Sequence, residues 1–211
     1  MPSYPDFSHE IAALARGALV IVGVDEVGRG PLAGPVTAAA VRLHPDRIPH
    51  GLNDSKKLTA ACRERLAREI NAVAEVSIAH ASVDEIDSLN ILRASHLAMC
   101  RALAGLSTSV DHALIDGSLL PRGLICHGEA IIRGDARSLS IAAASIVAKV
   151  VRDGLMVDLA QQHPGYGWDR NAGYPTTEHL TALKMHGITP HHRRSFRPIY
   201  NILYQENSIT H

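Results

Sequence analysis

Two short apolar runs, residues 18–25 and 35–43, flank the glycine- and proline-rich stretch GRGPLAG, and this pairing constrains the fold more than any other feature of the sequence. Each run has the length and the Val, Ile and Ala content of one strand. The short linker predicts that they are neighbours in a sheet and antiparallel. Further along, Thr59 to Ala74 reads as a helix with its charges on one face, Glu75 to Ala81 as a strand, and Leu89 to Ala104 as a second helix. His112 to Ile115 reads as a strand ending at Asp116-Gly117, and Leu124 to Ile132 as a weaker one ending at Gly134-Asp135. Ser138 to Gln162 is a long helical pattern whose many small residues suit close packing on a sheet. These elements predict an α/β chain with a mixed sheet flanked by helices.

After His163-Pro164-Gly165 the texture changes to a loop rich in glycine and aromatic residues, a short helix from about Thr176 to His186, and a basic window from Lys184 to Arg197. The expected organisation is therefore an α/β body over residues 1–163 and a small helical C-terminal extension over residues 164–211. With 211 residues and 46% hydrophobic content, the chain is long enough to bury a substantial core.

Three predicted strands end in an acid next to glycine, in GVDEVG, LIDG and RGD. An isolated Asp-Gly is usually a turn, but three such strand ends at one edge of a sheet would bring together Asp25, Glu26, Asp116 and Asp135. Unpaired carboxylates in one pocket repel, and divalent cations between them relieve that repulsion; all-oxygen ligands select a hard ion, Mg²⁺ or Mn²⁺. Asp25 and Glu26 point to opposite faces of a regular strand, so their sharing a pocket requires the strand to end or bulge there, a break that Gly28 permits.

Other chemistries fail on detail. GRGPLAG lacks the Gly-Lys-Ser/Thr ending of a phosphate loop, no HExxH pattern organises the thirteen histidines, and there is no GxSxG. His191-His192 reads as part of a charged surface. Cys62, Cys100 and Cys126 are odd in number and have no CxxC spacing, which fits a reducing, cytoplasmic setting. The N-terminal stretch has an early acid and no basic region, and the apolar run from Ala18 to Val24 is too short to span a bilayer, so neither export nor membrane insertion is expected. Lys plus Arg balances Asp plus Glu at 21 each, so any surface for a polyanion must be local. The basic window is the obvious candidate, with a solvated tail as the competing reading.

GVDEVGRGPLAGPV closely resembles the signature of the type 2 ribonucleases H, within which it is most similar to bacterial ribonuclease HII. The likeness continues in order through DSKKLT, LNIL, LIDG, GD, SIAAASIVAKVVRD, GYPTTEHL and HRRSFRPI, which takes in nearly the whole chain. The resemblance implies a ribonuclease H-like fold, two divalent ions held by Asp25, Glu26, Asp116 and Asp135, and hydrolysis of RNA in RNA–DNA hybrids and 5′ to single ribonucleotides in duplex DNA. It also implies that Gly28, Arg29 and Gly30 contact the ribonucleotide and scissile phosphate, and that Tyr174 stacks near the RNA-to-DNA junction. The 2′-hydroxyl is the chemical handle for such discrimination. Lys56, Lys57, Lys149 and the C-terminal arginines are expected to hold phosphates, and Asp153 to pair with Lys149 or Arg152 rather than bind metal. Arg29, and the 24 residues that precede Asp25, favour the HII over the HIII subtype. Val27 and Pro175 stand where alanine and glycine are usual. A sliding clamp is a candidate protein partner, and nothing in the residues requires more than a monomer.

Overall fold

The computed structural model describes residues 4–204. Its centre is a five-stranded sheet in the order β3-β2-β1-β4-β5, built from β1 (Ile21–Val27), β2 (Val36–Arg42), β3 (Glu75–Ala81), β4 (His112–Asp116) and β5 (His127–Ile131). The predicted antiparallel pairing of the first two strands is present, from Gly23↔Val41 to Val27↔Thr37. β3 extends the antiparallel side, whereas β4 and β5 run parallel to β1. The mixed sheet thus places the C-terminal ends of β1 and β4 next to each other at its middle.

Helices cover both faces. On one face, Ala94, Ala98, Met99, Ala102 and Leu103 of α4 (Ile91–Ala104) pack on Val22, Val24, Val36, Ala38 and Ala40. On the other, α2 (Ala60–Val73) and α5 (Leu139–Gln162) enclose Ala39 and Val41 with Leu66, Ile70, Ala143, Ile146 and Val147. The small residues of α5 do what the sequence predicted. A Cβ placed on Gly23 of β1 would lie 2.1 Å from the backbone carbon of Ser140, so strand and helix touch almost backbone to backbone.

Four helices were not foreseen: α1 (Ser8–Ala15), α3 (Val83–Leu89), the single turn α6 (Trp168–Asn171) within the expected loop, and α8 (Arg197–Tyr204). The helix expected from Leu89 to Ala104 is α4 and begins two residues later, because Asn90 separates it from α3. The φ of 71° at Asn90 ends α3, and its side chain accepts from the N–H groups of Leu92 and Arg93 to start α4. Ser82 and Glu85 form a reciprocal cap at the start of α3. Past α5 lie the short helices α6 (Trp168–Asn171) and α7 (Thr177–His186). Together with α8 they share a third core, in which Tyr166, Trp168, Ala182, Leu183 and Ile199 pack on Met156 of α5 and on Leu32 and Ala33 of the loop after β1. That packing brings the C-terminal segment to the same edge of the sheet as the acids.

Candidate active site

The parallel ladder between β1 and β4 stops at Val24↔Ile115. Asp25 and Asp116 are the next residues of their strands and stand side by side. The ladder to β2 continues without a skipped residue through Glu26↔Ala38 to Val27↔Thr37. β1 therefore neither ends nor bulges at the acids, contrary to the sequence expectation; space opens because its pairing with β4 has ceased. One carboxylate oxygen from each of Asp25, Glu26 and Asp116 falls within 4.8 Å of the others. Asp135 sits in a turn of 3-10 helix, Gly134–Ala136, after β5 and lines the same cleft. The Gly134 N–H donates to Asp116 Oδ1 at 2.6 Å, tying that turn to β4.

The electrostatics match an unneutralised cluster. Burial, followed by the fields of Glu26, Asp116 and Asp135, pushes Asp25 well above the usual carboxylate range, and a hydrogen bond from Ser145 opposes the shift. Glu26 is also raised, by burial against the opposing pull of Arg29, whose Nη1 donates to Glu26 Oε1 at 3.2 Å. Asp135 rises through burial and then the Asp116 and Asp54 charges. Lys56 completes the picture: burial alone would lower it, but the summed field of Asp135, Asp25, Asp54 and Asp116 moves it upward. Glu26 Oε2 is buried and has no hydrogen-bond partner. A set of carboxylate oxygens with surplus negative charge, an unpartnered buried oxygen and no His or Cys among the described residues that line the cleft fits a hard divalent cation.

Around these acids the cleft is lined by Gly28, Arg29, Gly30, Lys56, Lys149 and Tyr174. Lys57 is exposed on the turn beside Lys56 and lies outside the lining. Tyr174 lies against the glycine loop, since a Cβ on Gly30 would come within 3.2 Å of its ring. Pro175 brings no conflict, because the loop's bonds are made by its neighbours: Tyr174 N–H donates to Asn171 O and Thr176 N–H to Tyr174 O. Asp153 pairs with Lys149 at 2.7 Å, away from the acid cluster, as expected.

Two cleft residues were not singled out from sequence. Ser55 and Ser145 meet through their hydroxyls at 2.8 Å beneath the acids. The available signal was a lone polar residue inside the apolar run AAASIVA.

The basic window needs a correction. Arg194, Arg197 and Lys184 are exposed, but Arg193 is 0% exposed and His192 only 1%, so neither belongs to a charged surface or a solvated tail. His192 is held neutral, with its pKa pulled to about 3 by burial and then by neighbouring His179. Thr189 N–H donates to its Nδ1, which leaves Nε2–H to donate to His179 Nε2 at 3.0 Å. His179 in turn donates from Nδ1 to Tyr174 O at 3.0 Å. A buried chain of neutral rings thus supports the backbone of the cleft tyrosine.

The pattern of the ribonuclease HII family matches residues 22–199. The chain belongs to the ribonuclease HII family. It is 72% identical over 206 residues to ribonuclease HII of Cereibacter sphaeroides, covering 98% of this chain and 97% of that protein. Among solved structures it is similar to ribonuclease H2 of Pyrococcus horikoshii, with a TM-score of 0.75 and 26% identity over 90% of this chain and 99% of that one. It is also similar to the ribonuclease HII that was solved in a complex with PCNA from Archaeoglobus fulgidus, with a TM-score of 0.72 and 26% identity over 85% of this chain and 96% of that one. The ribonuclease H-like fold expected from the sequence is thereby shown. No helix among the described residues is long and apolar enough to cross a membrane.

Proposed function

We propose that Asp25, Glu26, Asp116 and Asp135 hold two divalent ions, and that with them this ribonuclease H cuts the RNA strand of RNA–DNA hybrids and nicks duplex DNA 5′ to a single ribonucleotide. The observation that carries this reading is the convergence of three carboxylates within 4.8 Å, one of them with a buried, unpartnered oxygen, beside a Gly-Arg-Gly loop. Ions held there supply activation of the attacking water and neutralisation of charge on the leaving 3′ oxygen, with 5′-phosphate and 3′-hydroxyl products. The all-oxygen donor set supports Mg²⁺ or Mn²⁺ alike.

The chain's own residues bind and orient. Asp25, deepest of the four acids and closest to the others' fields, is best placed to be shared between two ions. Ser145 fixes the Asp25 carboxylate from below, and Gly134 fixes that of Asp116. Gly28, Arg29 and Gly30 offer backbone and a guanidinium to the ribonucleotide and its phosphate, and Tyr174 offers a stacking face beside them. Lys56 and Lys149 approach the phosphate chain within the cleft, with Lys57 and the exposed Arg194 and Arg197 farther along it, which makes binding salt-dependent. On this reading the segment 164–211 is the part that adds Tyr174 and outer basic residues to the body formed by residues 1–163. The complex of the archaeal relative with PCNA supports a sliding clamp as partner.

An end-labelled duplex with one ribonucleotide, incubated with Mg²⁺ or Mn²⁺ beside an all-DNA control, tests the reading. The expected result is a metal-dependent nick on the 5′ side of the ribonucleotide and an intact control. Cleavage of the all-DNA duplex would instead indicate a two-metal nuclease that does not read the 2′-hydroxyl.

A further inference from the structure

Resting on that reading of the cleft, we infer that Arg193 is a positioning residue for ribonucleotide selection, because its buried guanidinium turns the Arg29 and Gly30 amide N–H groups into the cleft. Its side chain has no carboxylate partner among its hydrogen bonds. Nη2 donates to Gly28 O at 2.6 Å and Pro35 O at 3.2 Å, Nη1 to Arg29 O at 3.1 Å, and Nε to Gly34 O at 2.9 Å. The backbone of the same residue donates from its N–H to Leu32 O at 2.8 Å. A rigid fork of donors suits this task, and a flexible ammonium could not reach four carbonyls in fixed directions.

The consequence follows from the peptide plane. Every peptide here is trans, so the C=O of one residue and the N–H of the next point in opposite directions. Drawing Gly28 O and Arg29 O onto one guanidinium turns the N–H groups of Arg29 and Gly30 away from it together. Both residues line the cleft, and Gly28, at φ 95°, supplies the left-handed turn that lets successive carbonyls face one way. Two adjacent amide donors aimed at one point form a site for an oxygen with a free lone pair, which a ribonucleotide offers as its 2′-oxygen and a deoxyribonucleotide lacks. Arg193 does not touch that oxygen. It acts through the loop, and it reaches that loop only because the C-terminal segment folds back over it.

Arg193→Lys tests this, with Arg152→Lys as a control for burial. Arg152 is equally buried and packs against Gly28, but its hydrogen bonds reach the carbonyls of Ala33, Pro35 and Ala172 and none of those of Gly28 to Gly30, so it controls for burial and contact without carbonyl bonding. The expected result for Arg193→Lys is a kcat on the single-ribonucleotide duplex about a hundredfold lower with little change in KM, the size of one lost oriented donor. Arg152→Lys should lower Tm without that loss. Equal kinetic losses in the two variants, or none in a folded Arg193→Lys, overturn the proposal. Wild type that cuts neither the single-ribonucleotide duplex nor an RNA–DNA hybrid would instead sink the functional reading itself.

If Arg193→Lys does not fold, the wild-type amide resonances decide. With metal omitted and the duplex saturating, Arg29 and Gly30 should shift for the ribonucleotide duplex and not for the all-DNA one. Identical shifts with both duplexes, or none while other resonances move, overturn the proposal.

Discussion

The carboxylates at the two edges of the sheet receive opposite treatment. At the edge where β1 begins, Asp111 accepts from the N–H groups of Leu19 and Val20 at 2.9 and 3.0 Å, and Glu129 accepts from Arg16 at 2.5 Å. At the edge where β1 and β4 end, Asp25, Glu26 and Asp116 face each other, and Asp25 and Glu26 are pushed upward by burial before any other cause. Charge is stabilising at the first edge because donors were folded onto it. It is costly at the second because the donors from Gly134, Arg29 and Ser145 do not offset burial and mutual repulsion and leave Glu26 Oε2 unpartnered, and such a cost persists where something outside the chain relieves it. Acid content alone does not distinguish the two edges; the surrounding donors do.

The largest effect that could break this contrast is on rate. Asp25→Asn keeps the shape and removes one charge from the crowded edge, so cleavage should fall by about 10³-fold or more, the scale of losing a principal transition-state stabiliser. Melting without metal should hold steady or rise, since a repelled buried charge has gone. A marked loss of Tm would show that the cluster is structural.

Next in size is the response to the ion itself. Mg²⁺ at a hundredfold over its Kd should stabilise wild type by about 2.7 kcal/mol, read as a rise in Tm, and Asp25→Asn should lose most of that rise. An equal rise in both would place the ion elsewhere.

The paired edge should respond in the reverse sense. Asp111→Ala leaves two strand-end N–H groups without their acceptor and should cost about 1 kcal/mol in a denaturant titration. Cleavage per folded molecule should stay unchanged; a rate loss like that of Asp25→Asn would erase the distinction between the edges.

The smallest effect sharpens the contrast through pH. Glu85 is lowered to about 2, first by its hydrogen bonds from Arg101, and Glu75 to about 2, first by the Ser107 hydroxyl. A depressed carboxylate adds stability that is present above its unfolded pKa of 4.5 and is lost as pH falls toward 2. Both groups are partly exposed, so each contribution is screened to about 1 kcal/mol or less. Glu85→Gln should flatten the melting profile between pH 4.5 and 2 by that amount, and an unchanged profile would show that its pairing with Arg101 adds no stability.

Legibility from sequence followed the same physical divide. Strand β3 was read with its observed ends and α2 to within a residue at each end, because apolar periodicity and the flanking residues are local signals. The short helix α3 before Asn90 went unread, because seven residues between a strand and a longer helix carry little periodicity. At the site, the four acids were visible as strand ends with glycine neighbours, and the glycine loop and Tyr174 through family likeness. Arg193 and His192 were misread as surface, because a run of His and Arg looks solvated until the backbone carbonyls that satisfy it are in place.

The sequence by itself determined the alternation of strands and helices, the acids at the strand ends and the family, all carried by residue types and short-range spacing. Only the tertiary structure decided that the β1–β4 ladder stops one residue before the acids, so that Asp25, Glu26 and Asp116 meet without a bulge. It also decided that a buried guanidinium some 160 residues further along the chain holds the carbonyls of the glycine loop. Both depend on where distant segments pack, and a buried charge is tolerated only when folding surrounds it with partners that no local pattern encodes.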